Sequence, residues 1–295
     1  MIKYVDDFDD YEVLDSGDNE KIERFGQYIL RRPDPQAIWH PKNFNKYKVN
    51  AIYHRSRQGG GSWEFIDLPK KWTIAYNLSK DLKMSFYLKP FTFKHTGIFP
   101  EQAYNWKYIY NYSVKKVKKY KDVKILNLFA YTGAATLAGA LSGAKVTHVD
   151  SSKGILTAAK ENAELSMVPD DRIRWIVDDC KKFVEREIRR GNLYDGIIMD
   201  PPSYGRGPNN EIWKIESSIY DFVDLCFKIL KKEESFIMLN SYTTGLQTGV
   251  MDYILCDLAK KNALNGESSA YELGLKCKST GLFLPEGSTA IYSVH

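Results

Sequence analysis

Three carboxylates stop apolar runs in a way that suits ligand chemistry. Asp150 ends the run Lys145 to Val149, Asp179 follows Arg174 to Val177 within Asp178-Asp179-Cys180, and Asp200 ends Tyr194 to Met199. Such runs read as buried parallel strands, and open α/β sheets bind ligands where the carboxyl ends of those strands stop. Asp200 leads into Pro201-Pro202-Ser203-Tyr204-Gly205-Arg206-Gly207. Two prolines cannot continue a central strand, so the chain leaves the sheet and presents Asp200 and the Pro201 carbonyl at its edge. A carboxylate and a rigid carbonyl there can accept hydrogen bonds from an attacking amine; a plain turn is the simpler reading of Pro-Pro alone.

The elements that must position these acids start at Lys124. Ile125, Leu126, Leu128 and Phe129 form an apolar run that ends at Tyr131-Thr132-Gly133, Ala134 to Leu141 reads as a helix, and Gly143 closes it. The strand that follows stops at Asp150. An acid about twenty residues after the first turn of a β-α-β unit can hold the ribose hydroxyls of an adenosine cofactor. The turn has neither the G-x-G-x-x-G of a dinucleotide site nor the G-x-x-x-x-G-K-[ST] of a P-loop, so it suits a ligand without phosphates. S-adenosylmethionine has that character, with adenine, ribose and an amino-acid tail. An ordinary unit of some other α/β fold is the alternative for the β-α-β pattern by itself.

The remaining chain sets the surroundings. With 295 residues, 43% hydrophobic and 14% aromatic, it can bury a full core and a small second domain. No apolar run reaches a membrane span and the first residues are acidic, so a cytoplasmic protein is expected. Cys180, Cys226, Cys256 and Cys277 lack C-x-x-C spacing, and neither disulfides nor a metal site are expected. A net charge of +5 permits a nucleic-acid partner without requiring one. The acidic residues 1 to 15 read as a partly ordered lead-in. Phe25 to Leu30, Val49 to His54, Ser62 to Ile66, Trp72 to Tyr76 and Met84 to Leu88 read as strands of a small antiparallel domain, with Arg32-Pro33-Asp34-Pro35 and Gly59-Gly60-Gly61 among the turns. Trp39, Trp63 and Trp72 could stack on bases, and half-buried packing is the commoner explanation. Pro100 and Glu101 start a helix running to about Tyr120, whose Lys115, Lys116, Lys118, Lys119 and Lys121 read equally as a phosphate-binding face or a solvated helix end. Further helices are expected over Ser151 to Leu165, Phe183 to Arg190 and Met251 to Lys261, and late strands around Tyr271 to Lys276 and Ala290 to Val294.

Taken together, LNLFAYTGAATLAGALSGAKVTHVD, VDDC and MDPPSYGRG, preceded by FKHTGIFPEQ, resemble the class I S-adenosylmethionine-dependent methyltransferases related to the large-subunit ribosomal RNA cytosine-5 methyltransferases. The match covers roughly Phe93 to Leu246. It implies an α/β, Rossmann-like sheet of seven strands with an antiparallel last hairpin, a small N-terminal β-rich domain over residues 1–95 and the methyltransferase domain over 96–295. It also implies roles: Thr132 and Gly133 at the methionine end, Asp150 at the ribose, Asp179 and the Cys180 backbone at the adenine, Asp200 with Pro201 at the methyl-transfer edge. Phe99 and Gln102 would close over the cofactor, and Ala130 and Ser151 complete the cofactor-lining set. Tyr204 and Arg206 are the substrate-side candidates.

Two departures from the family follow. No PUA-type RNA-binding module is expected, and Thr243, in Asn240-Ser241-Tyr242-Thr243-Thr244-Gly245-Leu246, takes the place of the cysteine in the Ser-Cys-Ser-Gly-Leu pattern of the cytosine-5 enzymes. Carbon 5 of cytosine is a poor nucleophile until a thiolate adds at carbon 6. Fold and cofactor carry over, then, and the acceptor atom stays open. The first reading is a methyltransferase acting on a base in RNA, ribosomal RNA favoured. The alternatives are a methyltransferase with a non-RNA acceptor and a non-catalytic cofactor-binding protein serving as an RNA-binding or assembly factor.

Overall fold

Short aromatic segments with period-two burial build the first part of the chain. The computed structural model describes residues 1–56, 60–91, 93–206 and 212–295; the side chain of Arg206 lies outside that description, as do Gly59 and Gly207. The chain divides into two units, a smaller one of residues 2–104 and 273–286, and a core unit of Met1, 105–272 and 287–295.

In the smaller unit β1 (Ile2–Lys3) is followed by β2 (Tyr11–Gly17), β3 (Glu20–Phe25), β4 (Tyr28–Pro33), β5 (Ala51–Arg55), β6 (Gly61–Phe65), β7 (Trp72–Asn77) and β8 (Lys83–Leu88). β2 to β6 form a five-stranded sheet in sequence order, with β4 and β5 parallel, and β7 and β8 form a separate hairpin. Trp72, Ile74, Tyr76, Met84, Phe86 and Leu88 are the buried alternate residues of that hairpin. Two sequence expectations are corrected here. The acidic lead-in is ordered as β2, because its acids have internal partners: Asp15 accepts from the Asn43 amide at 2.6 Å and the Ser279 hydroxyl at 2.5 Å, and Asp10 from the Ala75 amide at 2.8 Å. Phe25 to Leu30 is not one strand but a hairpin turn, with Gly26 left-handed at φ 64° and Phe25 paired to Tyr28. The division also differs from a boundary after residue 95. Residues 273–286 join the smaller unit because Cys277 bridges to Val13 and the Lys278 amide donates to the Val13 carbonyl at 2.9 Å. Of the three tryptophans, Trp72 is buried, Trp63 donates to the Phe91 carbonyl and Trp39 to the Ser16 carbonyl.

A charged cluster is sealed inside this unit. The Arg32 guanidinium grips Glu23 with bonds of 2.7 and 2.8 Å, Tyr11 donates to Glu23 at 2.6 Å, and Lys21 pairs with Glu286 and Asp34. Burial alone would raise the Glu23 carboxyl; the charges of Arg32 and Lys21, with the hydrogen bonds from Arg32 and Tyr11, hold it at about 2 instead.

Pro100–Gln102 makes a 3-10 turn that leads into α1 (Ala103–Lys119). The core unit then alternates β9 (Lys124–Leu128), α2 (Ala134–Leu141), β10 (Lys145–Asp150), α3 (Lys153–Leu165), β11 (Ile173–Val177), α4 (Cys180–Arg190) and β12 (Gly196–Met199). It continues with the short hairpin β13 (Tyr204–Arg206) and β14 (Ile212–Lys214), α5 (Ile215–Phe227), β15 (Ser235–Ser241) and α6 (Thr248–Lys261), and ends in β16 (Gly266–Lys276) and β17 (Phe283–Val294). The sheet order is β1-β16-β17-β15-β12-β9-β10-β11, eight strands rather than seven, the extra one being the two-residue β1. β15, β12, β9, β10 and β11 are mutually parallel and β17 runs antiparallel to β15. The order reverses between β9 and β12, so the chain's first core strand lies beside a topological switch point. Gly196 is required where β12 passes Phe236, since a Cβ there would meet its ring at 2.3 Å.

Asn105 centres a neutral network in the core unit: it donates to Asn240 and Thr289 and accepts from Tyr271, at 2.7 to 3.0 Å. Of the lysines at the end of α1, Lys116 is buried and donates to the Glu234 carbonyl at 2.6 Å, and Lys119 pairs with the Glu234 carboxylate. Those two are structural. Among the described residues no helix is long and apolar enough to cross a membrane.

Candidate functional site

The turn that follows β9 is conformationally unusual. Phe129 and Tyr131, neither of them glycine, sit in the left-handed region at φ 54° and 49°, and Gly133 at 88°. Non-glycine residues held there cost on the order of 1–3 kcal/mol each and persist only where their surroundings impose them. The surroundings do so. The Ala130 amide donates to the Val149 carbonyl, the Tyr131 amide to Asp150 Oδ2 at 3.0 Å, the Phe129 amide to Cys180 Sγ at 3.3 Å, and Asn162 Nδ2 to the Thr132 carbonyl at 3.0 Å.

Asp150 is thereby fixed between two backbone segments, because its Oδ1 accepts from the Ser152 amide at 2.9 Å. Burial raises its carboxyl, and the amides of Ser152 and Tyr131 partly reverse that. Each oxygen has one amide donor and a further lone pair, an arrangement suited to accepting from paired hydroxyls. Ser151 stands exposed next to it, and Ser152, not Ser151, caps α3. The Asp178 amide donates to the Asp150 carbonyl at 3.1 Å, which joins the ends of β10 and β11.

Asp179 caps α4: its Oδ1 accepts from the Lys182 amide at 2.9 Å, so the helix begins at Cys180 and not at Phe183. The Cys180 thiol is buried, and burial pushes its pKa well up. It is a packing group beneath the turn, not a nucleophile. Below the same turn Asn127 Nδ2 donates to Thr136 Oγ1, which is 2.9 Å from His148 Nδ1. Burial drives the His148 imidazole down to about 3 and keeps it neutral.

At the end of β12, Asp200 is half-buried, Pro201 buried and Pro202 exposed. The Pro202 carbonyl accepts from Trp213 Nε1 at 2.6 Å and the Ser203 carbonyl from the Ile215 amide at 3.0 Å. Ser203 Oγ lies 2.5 Å from Thr243 Oγ1, which links this loop to the one after β15. Tyr204 is 51% exposed on β13. Ala130, Thr132, Gly133, Asp150, Ser151, Asp179, Cys180, Asp200 and Pro201 thus gather at the carboxyl ends of four neighbouring strands of the core unit. Phe99 and Gln102 belong to the smaller unit, where the Gln102 amide donates to the Phe99 carbonyl at 3.0 Å. Sequence reasoning missed the strained Phe129 and Tyr131, whose side chains carry no sign of a left-handed backbone, and Trp213, which sits in a stretch without periodicity.

No protein-family model matches the chain. A solved structure of an S-adenosylmethionine-dependent methyltransferase from Agrobacterium tumefaciens superposes with a TM-score of 0.90 and 31% identity, over 99% of this chain and 93% of that one. The chain belongs to the S-adenosylmethionine-dependent methyltransferases. Among curated relatives of this methyltransferase, the ribosomal RNA large subunit methyltransferase K/L of Pseudoalteromonas translucida is 31% identical over 158 residues, 53% of this chain and 21% of that protein. A putative ribosomal RNA large subunit methyltransferase of Methanocaldococcus jannaschii is 35% identical over 111 residues, 38% of this chain and 27% of that protein. The methyltransferase therefore spans about a quarter of the length of these curated relatives.

Proposed function

We propose that this methyltransferase transfers a methyl group from S-adenosylmethionine to a base of ribosomal RNA, in the cytoplasm. The observation that carries the reading is the Asp150 carboxylate, locked by the Tyr131 and Ser152 amides beside a turn with no phosphate-binding pattern. That donor and acceptor set fits a nucleoside cofactor without phosphates. The RNA acceptor is taken from the curated relatives, which are ribosomal RNA large subunit methyltransferases by name.

S-adenosylmethionine supplies an electrophilic methyl on its sulfonium when bound. Asp150 is assigned to the ribose hydroxyls, with Ser151 beside it, and Asp179 and the Cys180 backbone to the adenine. Ala130, Thr132 and Gly133 are assigned to the amino-acid end. Asp200 and the Pro201 carbonyl accept hydrogen bonds from an amine on the acceptor base and aim its lone pair, so that catalysis is mostly positioning. Tyr204 is assigned to the base. Phe99, Gln102 and Arg206 keep their expected roles within this proposal.

Thr243 lies hydrogen-bonded to Ser203 where the cytosine-5 enzymes carry a cysteine, and this favours a nitrogen acceptor, which attacks without prior thiolate addition. The test is transfer of labelled methyl to total RNA from a strain lacking the protein, with protein and small-molecule fractions alongside. Label in one RNA species is expected, and Asp200→Ala should lower kcat by about 10²–10³-fold with cofactor affinity kept. Label confined to another fraction overturns the RNA acceptor, and undiminished transfer by the variant overturns the role of Asp200.

A further inference from the structure

The D-P-P loop and the cofactor turn come from different strands, yet one side chain touches both. Trp213, on β14, donates its indole N–H to the Pro202 carbonyl at 2.6 Å. Its ring packs against Phe129, with centroids 5.5 Å apart, and edge-on against Phe222 of α5 at 5.7 Å; Phe129 and Phe222 are themselves 5.6 Å apart. Phe129 is one of the two non-glycine residues held left-handed in the cofactor turn, and its amide is fixed on Cys180 Sγ. Pro201 and Pro202 have no N–H, so the loop after Asp200 cannot anchor itself through backbone donors at these positions. Its orientation depends on what its carbonyls accept and on the contact of the Ser203 hydroxyl with Thr243.

We propose that Trp213 is a positioning residue that sets the D-P-P edge against the cofactor turn. The inference rests on the methyltransferase reading above and adds a residue to it. The indole N–H fixes the direction of the Pro202 carbonyl, and through the rigid Pro-Pro unit that of the Pro201 carbonyl and Asp200. The indole face, braced by Phe222, holds Phe129 in its strained conformation. One aromatic trio therefore governs the distance between the methyl acceptor edge and the cofactor turn. A misplacement on the order of 1 Å at such an edge costs about a hundredfold in rate.

Two variants separate the two functions of the ring. Trp213→Phe keeps the aromatic contact and removes the N–H; Trp213→Leu also removes the aromatic ring. With the purified full chain, S-adenosylmethionine affinity is measured by calorimetry and methyl transfer with the RNA described above. Trp213→Phe is expected to leave affinity within about twofold while kcat falls about ten- to a hundredfold, a split that general loosening would not produce. Trp213→Leu is expected to weaken S-adenosylmethionine binding. Its effect should also be non-additive with that of Phe129→Leu, by about threefold or more, because the two rings act as a unit. Wild-type kcat in Trp213→Phe overturns the inference and leaves the functional reading standing. If the wild-type chain methylates no RNA, that reading falls, and the inference is decided by cofactor affinity alone: additive or absent effects of Trp213→Leu and Phe129→Leu overturn it.

Discussion

The two units handle buried polarity differently. The smaller unit seals a charged cluster in its interior, where Arg32 and Lys21 pair with Glu23, Asp34 and Glu286. The core unit sets neutral networks, the Asn105, Asn240, Thr289 and Tyr271 group and the Asn127, Thr136 and His148 chain, beside separate buried acids, Asp195 and Glu187, each paired with a cation that reaches the surface, Lys231 and Arg190. Buried ions give geometric specificity at a desolvation cost that only a complete set of partners offsets, whereas neutral networks tolerate the loss of a member more easily. The difference teaches where each unit is brittle.

The largest effect should come from breaking the charged cluster. Arg32→Met leaves Glu23 buried without its guanidinium and is expected to cost about 3–5 kcal/mol. Denaturant unfolding followed by the fluorescence of Trp63 and Trp72 in the smaller unit measures this, and adding Glu23→Met should restore much of the loss. A cost under about 1 kcal/mol for Arg32→Met would erase the contrast between the units. In the core unit, Asn105→Ala removes the acceptor of the Tyr271 hydroxyl and one of the two donors to the Asn240 carbonyl, which keeps Thr289, and the expected loss is about 1–3 kcal/mol.

Acid should act on both units, over overlapping ranges. Glu23 has a folded pKa of about 2, below its ordinary value of 4.5, so its contribution is full above about 4.5 and is lost as pH falls toward 2. His148, held down to about 3 by burial, binds its proton only when the chain unfolds. The core unit therefore loses up to about 1.4 kcal/mol per pH unit as pH falls from about 6.5 toward 3. In the smaller unit His95, held near 4 by burial and by the charges of Arg32, Lys94 and Lys21, acts in the same sense before Glu23 does. His148→Gln should flatten the core unit's pH dependence across that range; an unchanged slope would count against a neutral buried imidazole.

The parallel core was readable because strand ends, glycine turns and acids recur at fixed spacing. Asp150, Asp179 and Asp200 do stand at the ends of β10, before α4 and after β12, as their placement after apolar runs requires. What escaped was decided by contacts distant in sequence. Asp15 reads as part of a partly ordered acidic lead-in, and its partner Ser279 lies more than two hundred residues away. Phe25 to Leu30 looked continuous because β-prone residues flank Gly26 on both sides, and only pairing of Phe25 with Tyr28 reveals the turn. Phe129 extended an apolar run in the sequence, yet it leaves the strand because Cys180 claims its amide. Trp213 had no local pattern at all, since its partners are a proline carbonyl and a ring from β9's turn.

The smaller unit begins at residue 2 and is finished by residues 273–286, among them Glu286 beside Lys21 and Ser279 on Asp15. During synthesis on the ribosome, its first strands emerge long before those partners exist. Lys21 and Asp15 must then wait for those partners while residues 105–272 of the core unit are translated. Domains as a rule fold in the order they are made. Here the core unit too stays open at its β17 edge, because its residues 287–295 follow those partners, and both units are completed only once that segment has left the exit tunnel.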